Sequence, residues 1–97
     1  MDNDFMKQAE KGKEWIIEKV REIAQEEGVP LAGIRWRPVS GRDFDEDKCT
    51  LVVELSDRER RVEKRFEIDR VADSVADQRR RAELEAEIRE NVKSWKL

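Results

Sequence analysis

The spacing of apolar residues changes twice along this chain, and these changes limit the folds it can adopt. From Asp4 to Glu27, apolar residues recur every three or four positions, which is the spacing of one face of an α-helix. From Gly33 to Ile68 they mostly alternate with polar residues, as in strands with one buried side. From Asp69 to Trp95 the helical spacing returns. The chain is therefore predicted to have strands between two helices.

The first helix has sequence signals at both ends. Asp4 can cap its start, Gly28 stands where a helix commonly ends, and Pro30 follows two residues later. Gly12 weakens the prediction for the first turns, because glycine inside a helix costs about 1 kcal/mol relative to alanine. The predicted buried face consists of Phe5, Ala9, Gly12, Ile16, Val20 and Ile23.

Three strands are predicted, over Gly33–Ser40, Cys49–Ser56 and Arg61–Ile68. Their predicted core-facing residues are Ile34, Trp36, Cys49, Leu51, Val53, Leu55, Val62, Phe66 and Ile68. Lys64 interrupts this face, so we expect it near a sheet edge with its stem buried and its amine in water.

The predicted fold class is α+β, with the order α-β-β-β-α over one domain of residues 1–97. The simplest arrangement is a three-stranded antiparallel sheet with two long helices packed on one face. This order resembles that of the double-stranded-RNA-binding domain in topology alone. The basic helix start and the loop motifs of that family have no counterpart here, and topology by itself carries no function.

Composition excludes several kinds of chemistry. The chain has no histidine and one cysteine, so neither the usual zinc sites nor a histidine-dependent triad can be assembled from it. Cys49 is predicted to be a buried apolar residue. No apolar run is long enough to span a membrane, and the acidic start of the chain does not resemble a secretory signal. We expect a cytoplasmic protein that is not an enzyme and needs no cofactor.

Charged residues make up 46% of the chain, which by itself is compatible with disorder. However, the 21 basic and 24 acidic residues nearly balance, and they interleave with a periodic apolar pattern. The sequence therefore predicts a folded domain with a heavily charged, solvated surface.

The acidic segment after the first strand is the most specific metal-binding pattern. Asp43, Asp45 and Asp47 have the spacing of the first ligands of an EF-hand calcium loop, and Glu54 falls at its twelfth position. Lys48 stands where that loop requires glycine, and the flanking segments are predicted strands. An acidic hairpin loop is thus favoured over a cation site.

Basic residues suggest nucleic-acid binding as an alternative function. The candidate residues are Arg58, Arg60, Arg61, Arg79, Arg80 and Arg81. Arginine clusters bind phosphates well. Acidic residues interleave with this set, however, and the outer face of the predicted sheet has no aromatic residue on which a base could stack. A surface of ion pairs is therefore favoured over a nucleic-acid site.

The last predicted helix has two apolar stripes that do not align. Val71 and Val75 belong to one stripe, and Leu84 lies nine residues beyond Val75, which is half a turn away. Either the helix breaks near Gln78–Arg81, or the second stripe contacts something other than the sheet.

The leading functional hypothesis is an association surface formed by this second stripe, which consists of Leu84, Ile88, Val92 and Trp95. Tryptophan is common among the anchor residues of interfaces. Packing of the stripe within the chain, against Trp15 and Phe5, is the structural alternative, and it is favoured over this hypothesis. The predicted function is thus contact with a protein partner, either another protein or a second copy in a homodimer, and not with a membrane.

Overall fold

Three helices and three strands make up the computed structural model, which describes residues 3–37, 48–56 and 60–96. In chain order they are α1 (Asn3–Glu27), β1 (Leu31–Trp36), β2 (Lys48–Leu55), β3 (Arg60–Glu67), α2 (Ile68–Ala76) and α3 (Gln78–Ser94). The strands form an antiparallel sheet in the order β1-β2-β3. The α+β prediction is confirmed, with the second helix divided in two.

The strand boundaries differ from the prediction by a few residues. β1 begins at Leu31 and ends at Trp36, while the predicted continuation over 38–40 lies outside the described residues. A bulge between Leu31 and Gly33 shifts the pairing with β2. β3 ends at Glu67, because Ile68 already belongs to α2.

The core lies between one face of the sheet and the helices. On β2 the core-facing side chains are all buried, as predicted; they are Cys49, Leu51, Val53 and Leu55. From α1 the core receives Ile16, Val20 and Ile23. Alternation along the strand therefore identified the buried face of the sheet, and helical spacing identified the buried face of α1.

Gly12 lies where α1 crosses α2. An added Cβ at this position would lie 2.1 Å from the carbonyl oxygen of Val71. The two helix backbones therefore approach each other more closely than any residue with a side chain at position 12 allows.

Asp77 separates α2 from α3. Its backbone is extended (φ −116°, ψ 111°), and its N–H donates to the Asp73 carbonyl oxygen at 2.9 Å. Its carboxylate accepts hydrogen bonds from the backbone N–H groups of Arg79 at 2.9 Å and Arg80 at 3.4 Å. This is an N-cap, which satisfies two of the unpaired donors at the start of α3. The predicted break is thus present, one residue before the predicted range.

Arg81 holds the other side of this break. Its guanidinium donates to the carbonyl oxygens of Ser74 at 2.9 Å and Val75 at 3.2 Å, at the end of α2. The second helical region is predicted to begin at Asp69, but it begins one residue earlier, at Ile68. Glu67 is the N-cap residue of α2, and Asp69 lies in the first turn, where its charge suits the helix dipole.

Lys64 joins β3 to the helices. Its amine lies 2.9 Å from one carboxylate oxygen of Glu87 on α3, and the other oxygen accepts from Arg70 on α2 at 2.8 Å. Lys64 is on an edge strand, as predicted, but its amine pairs with Glu87 instead of only meeting water. A charged cluster thus ties together three elements around the core.

The Glu87 cluster gives a pH-dependent contribution to stability. Burial raises the pKa of Glu87, but hydrogen bonds and charge interactions from Lys64 and Arg70 outweigh it and hold the pKa below its usual range. A lowered folded-state pKa stabilises the fold above the unfolded-state pKa, and this stabilisation is lost as pH falls through the folded-state value.

Glu87→Gln is therefore expected to reduce the free energy of unfolding at neutral pH by about 1–2 kcal/mol. It should also flatten the decline in stability between about pH 5 and pH 3, where carboxyl groups titrate. Urea unfolding across this pH range measures both effects. Glu90→Gln, at an exposed position of the same helix, is the matched control. Equal pH profiles for the two variants would contradict the assignment.

Candidate interaction surface

The four residues of the predicted association surface lie in the core of this chain. Leu84, Ile88, Val92 and Trp95 are 1%, 2%, 0% and 8% exposed. Because α3 starts in a new direction after Asp77, its apolar stripe faces the same core as the stripe of α2. The prediction that these side chains form a surface is therefore corrected: they pack within the chain. Trp15 packs against the same core.

The predicted basic residues that lie within the described ranges do not form one patch. Arg60 points to the core side of the sheet and donates to the carbonyl oxygen of Trp95, at the end of α3. Arg81 lies near the start of α3, where it caps α2. A 17-residue helix is about 25 Å long, so these two arginines lie at opposite ends of it. Arg58 is outside the described residues.

The remaining basic candidates face in different directions. Arg61 lies on the outer face of the sheet and pairs with Glu63 at 3.2 Å. Arg79 and Arg80 are exposed at the start of α3, and Arg80 lies 3.9 Å from Glu83. The structure therefore does not bring together the five predicted nucleic-acid-binding residues that it describes.

The acidic metal candidates Asp43, Asp45 and Asp47 lie outside the described residues. Glu54, the twelfth position of the pattern, lies on β2 and pairs with Arg35 at 3.0 Å. Within the described ranges, no group of three potential ligands could hold a metal ion. None of the helices there combines the length and apolar composition needed to cross a bilayer.

Cys49 is buried, as predicted. Its thiol lies 3.7 Å from the Phe66 carbonyl oxygen. Burial raises the pKa of the Cys49 thiol, so the thiolate that acts as a nucleophile is disfavoured. This residue is a small apolar part of the core.

The outer face of the sheet carries cross-strand ion pairs. Arg35 pairs with Glu54 at 3.0 Å, and Arg37 and Arg61 both pair with Glu63. In the middle of this face Val52 is 1% exposed. Charges of opposite sign thus compensate each other here, as the interleaved sequence predicted.

The two edge strands differ sharply in charge. On β3, six of eight residues are charged, and Lys64 points toward the core. Charged side chains, especially inward-pointing ones, are a common protection against pairing with another strand. On β1, only Arg35 is charged among six residues. The β1 edge therefore lacks the charge protection that the β3 edge has.

The outer backbone of β1 faces away from the sheet. The Arg37 N–H donates to the Thr50 carbonyl oxygen at 2.8 Å, so these two residues form a hydrogen-bonded pair. Because such pairs alternate along an antiparallel ladder, the peptide groups of Ile34 and Trp36 point away from β2. Among the described strands, β1 pairs with β2 alone. These peptide groups are placed to bond another strand.

A groove of about 440 Å³ runs beside this edge, between α1 and β1. Its lining includes buried Ala24 and Val29, half-buried Leu31 and Ile34, and exposed Arg21 and Gln25. We call this surface the β1 groove. Its lining presents apolar side chains and polar groups to a similar extent.

Hydrogen bonds to α1 are found near both ends of β1, on either side of the groove. At one end, the indole N–H of Trp36 donates to the Lys13 carbonyl oxygen of α1 at 3.3 Å. At the other, the Val29 N–H donates to the Ala24 carbonyl oxygen at 2.8 Å, just after Gly28 with its positive φ of 74°. Between these attachments α1 does not cover β1 completely.

Sequence reasoning placed Ile34 and Trp36 toward the core but did not predict that they stay half exposed. The available signal was the low charge of β1, compared with β3. Comparisons with protein-family models, curated proteins and solved structures found no match to this chain.

Proposed function

We propose that this chain is a protein-interaction domain whose β1 edge binds an extended segment of a partner protein as a fourth strand. The observation that carries the proposal is the contrast between the edges. The β3 edge is charged at six of eight positions, whereas the β1 edge has one charge and lies beside a groove lined in part by apolar side chains.

Strand addition uses both parts of this surface. Backbone hydrogen bonds to Ile34 and Trp36 would supply affinity that does not depend on the partner's sequence. Side chains entering the β1 groove would supply selectivity, because its lining combines apolar side chains with polar groups such as Arg21 and Gln25.

The proposal keeps the predicted contact with a protein partner and moves it from α3 to β1. Leu84 and Trp95 are buried, so they are not accessible to a partner without unfolding part of the chain. Leu31, Ile34 and Trp36 are half-buried apolar residues of an edge strand, which a fourth strand would cover.

Ile34→Lys is expected to abolish strand addition. The substitution gives β1 an inward-pointing lysine like Lys64 of β3. An added strand would bury this charge, which disfavours binding. The probe is a capped peptide that alternates valine and threonine around a central phenylalanine, with a lysine at each end for solubility. Binding is followed by NMR hydrogen exchange of the backbone amides.

With the unmodified chain, saturating peptide should slow exchange of the Ile34 and Trp36 amides and leave the Glu63 and Arg65 amides of β3 unchanged. Val62→Lys is the matched control, since Val62 is a half-buried, core-facing residue of the other edge strand. It should bind the peptide normally, provided that circular dichroism shows both variants folded. Protection at β3, or none at β1, would overturn the proposal.

A further inference from the structure

The structure assigns a chemistry to the segment that β1 binds, an inference that rests on the proposed function. We infer that the segment has a large apolar side chain for the β1 groove and an acidic side chain two residues away that pairs with Arg21. The partner is thus an extended protein segment with an apolar and an acidic residue at alternate positions.

Arg21 is the charged group at the rim of the groove. It is exposed, and within residues 3–37, 48–56 and 60–96 it has no ion pair. Two other basic residues of α1 are paired: Lys13 lies 3.9 Å from Glu10, and Lys19 lies 3.0 Å from Glu85. A carboxylate entering the groove would therefore meet an arginine with no competing partner in the described chain.

The size of the groove follows from small residues in its lining. Ala24, Ala32 and Gly33 contribute little or no side chain to its walls. The space of about 440 Å³ that they leave suits a large apolar side chain of the bound segment. A small or polar side chain would leave Leu31 and Ile34 in contact with water.

The spacing of two follows from strand geometry. Arg21 belongs to α1, which packs on the inner face of the sheet, so Arg21 and the groove lie on the same side of an added strand. Residues i and i+2 of a strand point to the same side, and residue i+1 points to the other. An acidic residue adjacent to the apolar one would face away from Arg21.

Three capped peptides test this inference, all alternating valine and threonine around one phenylalanine. The first has glutamate two residues from the phenylalanine, the second has it one residue away, and the third has lysine two residues away. We expect the unmodified chain to bind the first about 1.5- to five-fold more tightly than the second, the range of an exposed ion pair. The third should bind more weakly still.

Arg21→Glu should reverse the preference, so that the third peptide binds more tightly than the first. Arg79→Glu is the control, since Arg79 is exposed on α3 and does not line the groove. It should preserve the original order. Both preferences should shrink at high salt, because screening weakens exposed ion pairs.

The outcomes distinguish the acidic specificity of the β1 groove from strand addition itself. If all three peptides protect the β1 amides equally and Arg21→Glu changes nothing, the acidic specificity is wrong while strand addition stands. If none of the peptides protects these amides, both claims fail. A changed order in Arg79→Glu would also overturn the assignment, because it would show a general effect of net charge.

Discussion

Replacing Gly12 by alanine is expected to destabilise this fold by about 3 kcal/mol. A methyl group at this position would lie 2.1 Å from the Val71 carbonyl oxygen and 2.8 Å from a Val71 methyl carbon. The obstructing oxygen belongs to the backbone of α2, so no side-chain rotation relieves the clash. The helices must move apart, and the packing around Val71, which is 0% exposed, is lost.

The opposite expectation would follow from helix propensity alone. Alanine is better than glycine inside a helix by about 1 kcal/mol, so an uncrowded position would gain stability. Urea unfolding followed by circular dichroism decides between the two. A variant as stable as the original chain, or more stable, would show that α1 and α2 do not touch at Gly12.

Gly33→Ala is the matched control for this substitution. An added Cβ there would lie 3.4 Å from a carboxylate oxygen of Glu54, the end of a half-exposed, flexible side chain. We expect a change within about 0.5 kcal/mol, as for most surface substitutions. Comparable losses at Gly12 and Gly33 would point to a general effect of removing glycine.

Gly12 also shows where sequence reasoning ends. The unfavourable helix propensity of glycine could be predicted from the sequence. The structural reason for a glycine at position 12 is a close contact with Val71, which is 59 positions away in sequence. Strand alternation was sufficient for β2, because every core-facing residue there is covered by helices. It was insufficient for β1, where the cover depends on where α1 passes over the sheet.

The break between α2 and α3 was partly predictable from the sequence. Two apolar stripes that lie half a turn apart on a straight helix cannot both face one sheet. The sequence allowed either a break in the helix or a contact between the second stripe and something other than the sheet. The structure contains the break, at Asp77, and the surface predicted from the other solution is therefore absent. The apolar spacing correctly indicated that the two stripes cannot lie on one face of a straight helix. The position of the break is set by the N-cap that Asp77 forms with the N–H groups of Arg79 and Arg80, and spacing alone does not predict this cap.

Replacing Leu84 by alanine tests this correction directly. Leu84 is 1% exposed within a single chain, so its truncation should leave a cavity and reduce the free energy of unfolding by about 2–4 kcal/mol. Because the lost contacts lie within one chain, the loss should not depend on protein concentration. Leu84→Met, which nearly conserves volume, should cost less than about 1.5 kcal/mol.

A surface between two copies would behave differently in the same experiment. An interface contributes stability through association, so the unfolding midpoint of the unmodified chain would rise with protein concentration. Truncating Leu84 would then remove that concentration dependence. Urea midpoints of both chains over a hundredfold range of concentration distinguish the cases. A constant difference places Leu84 in the core of a single chain, in agreement with its burial.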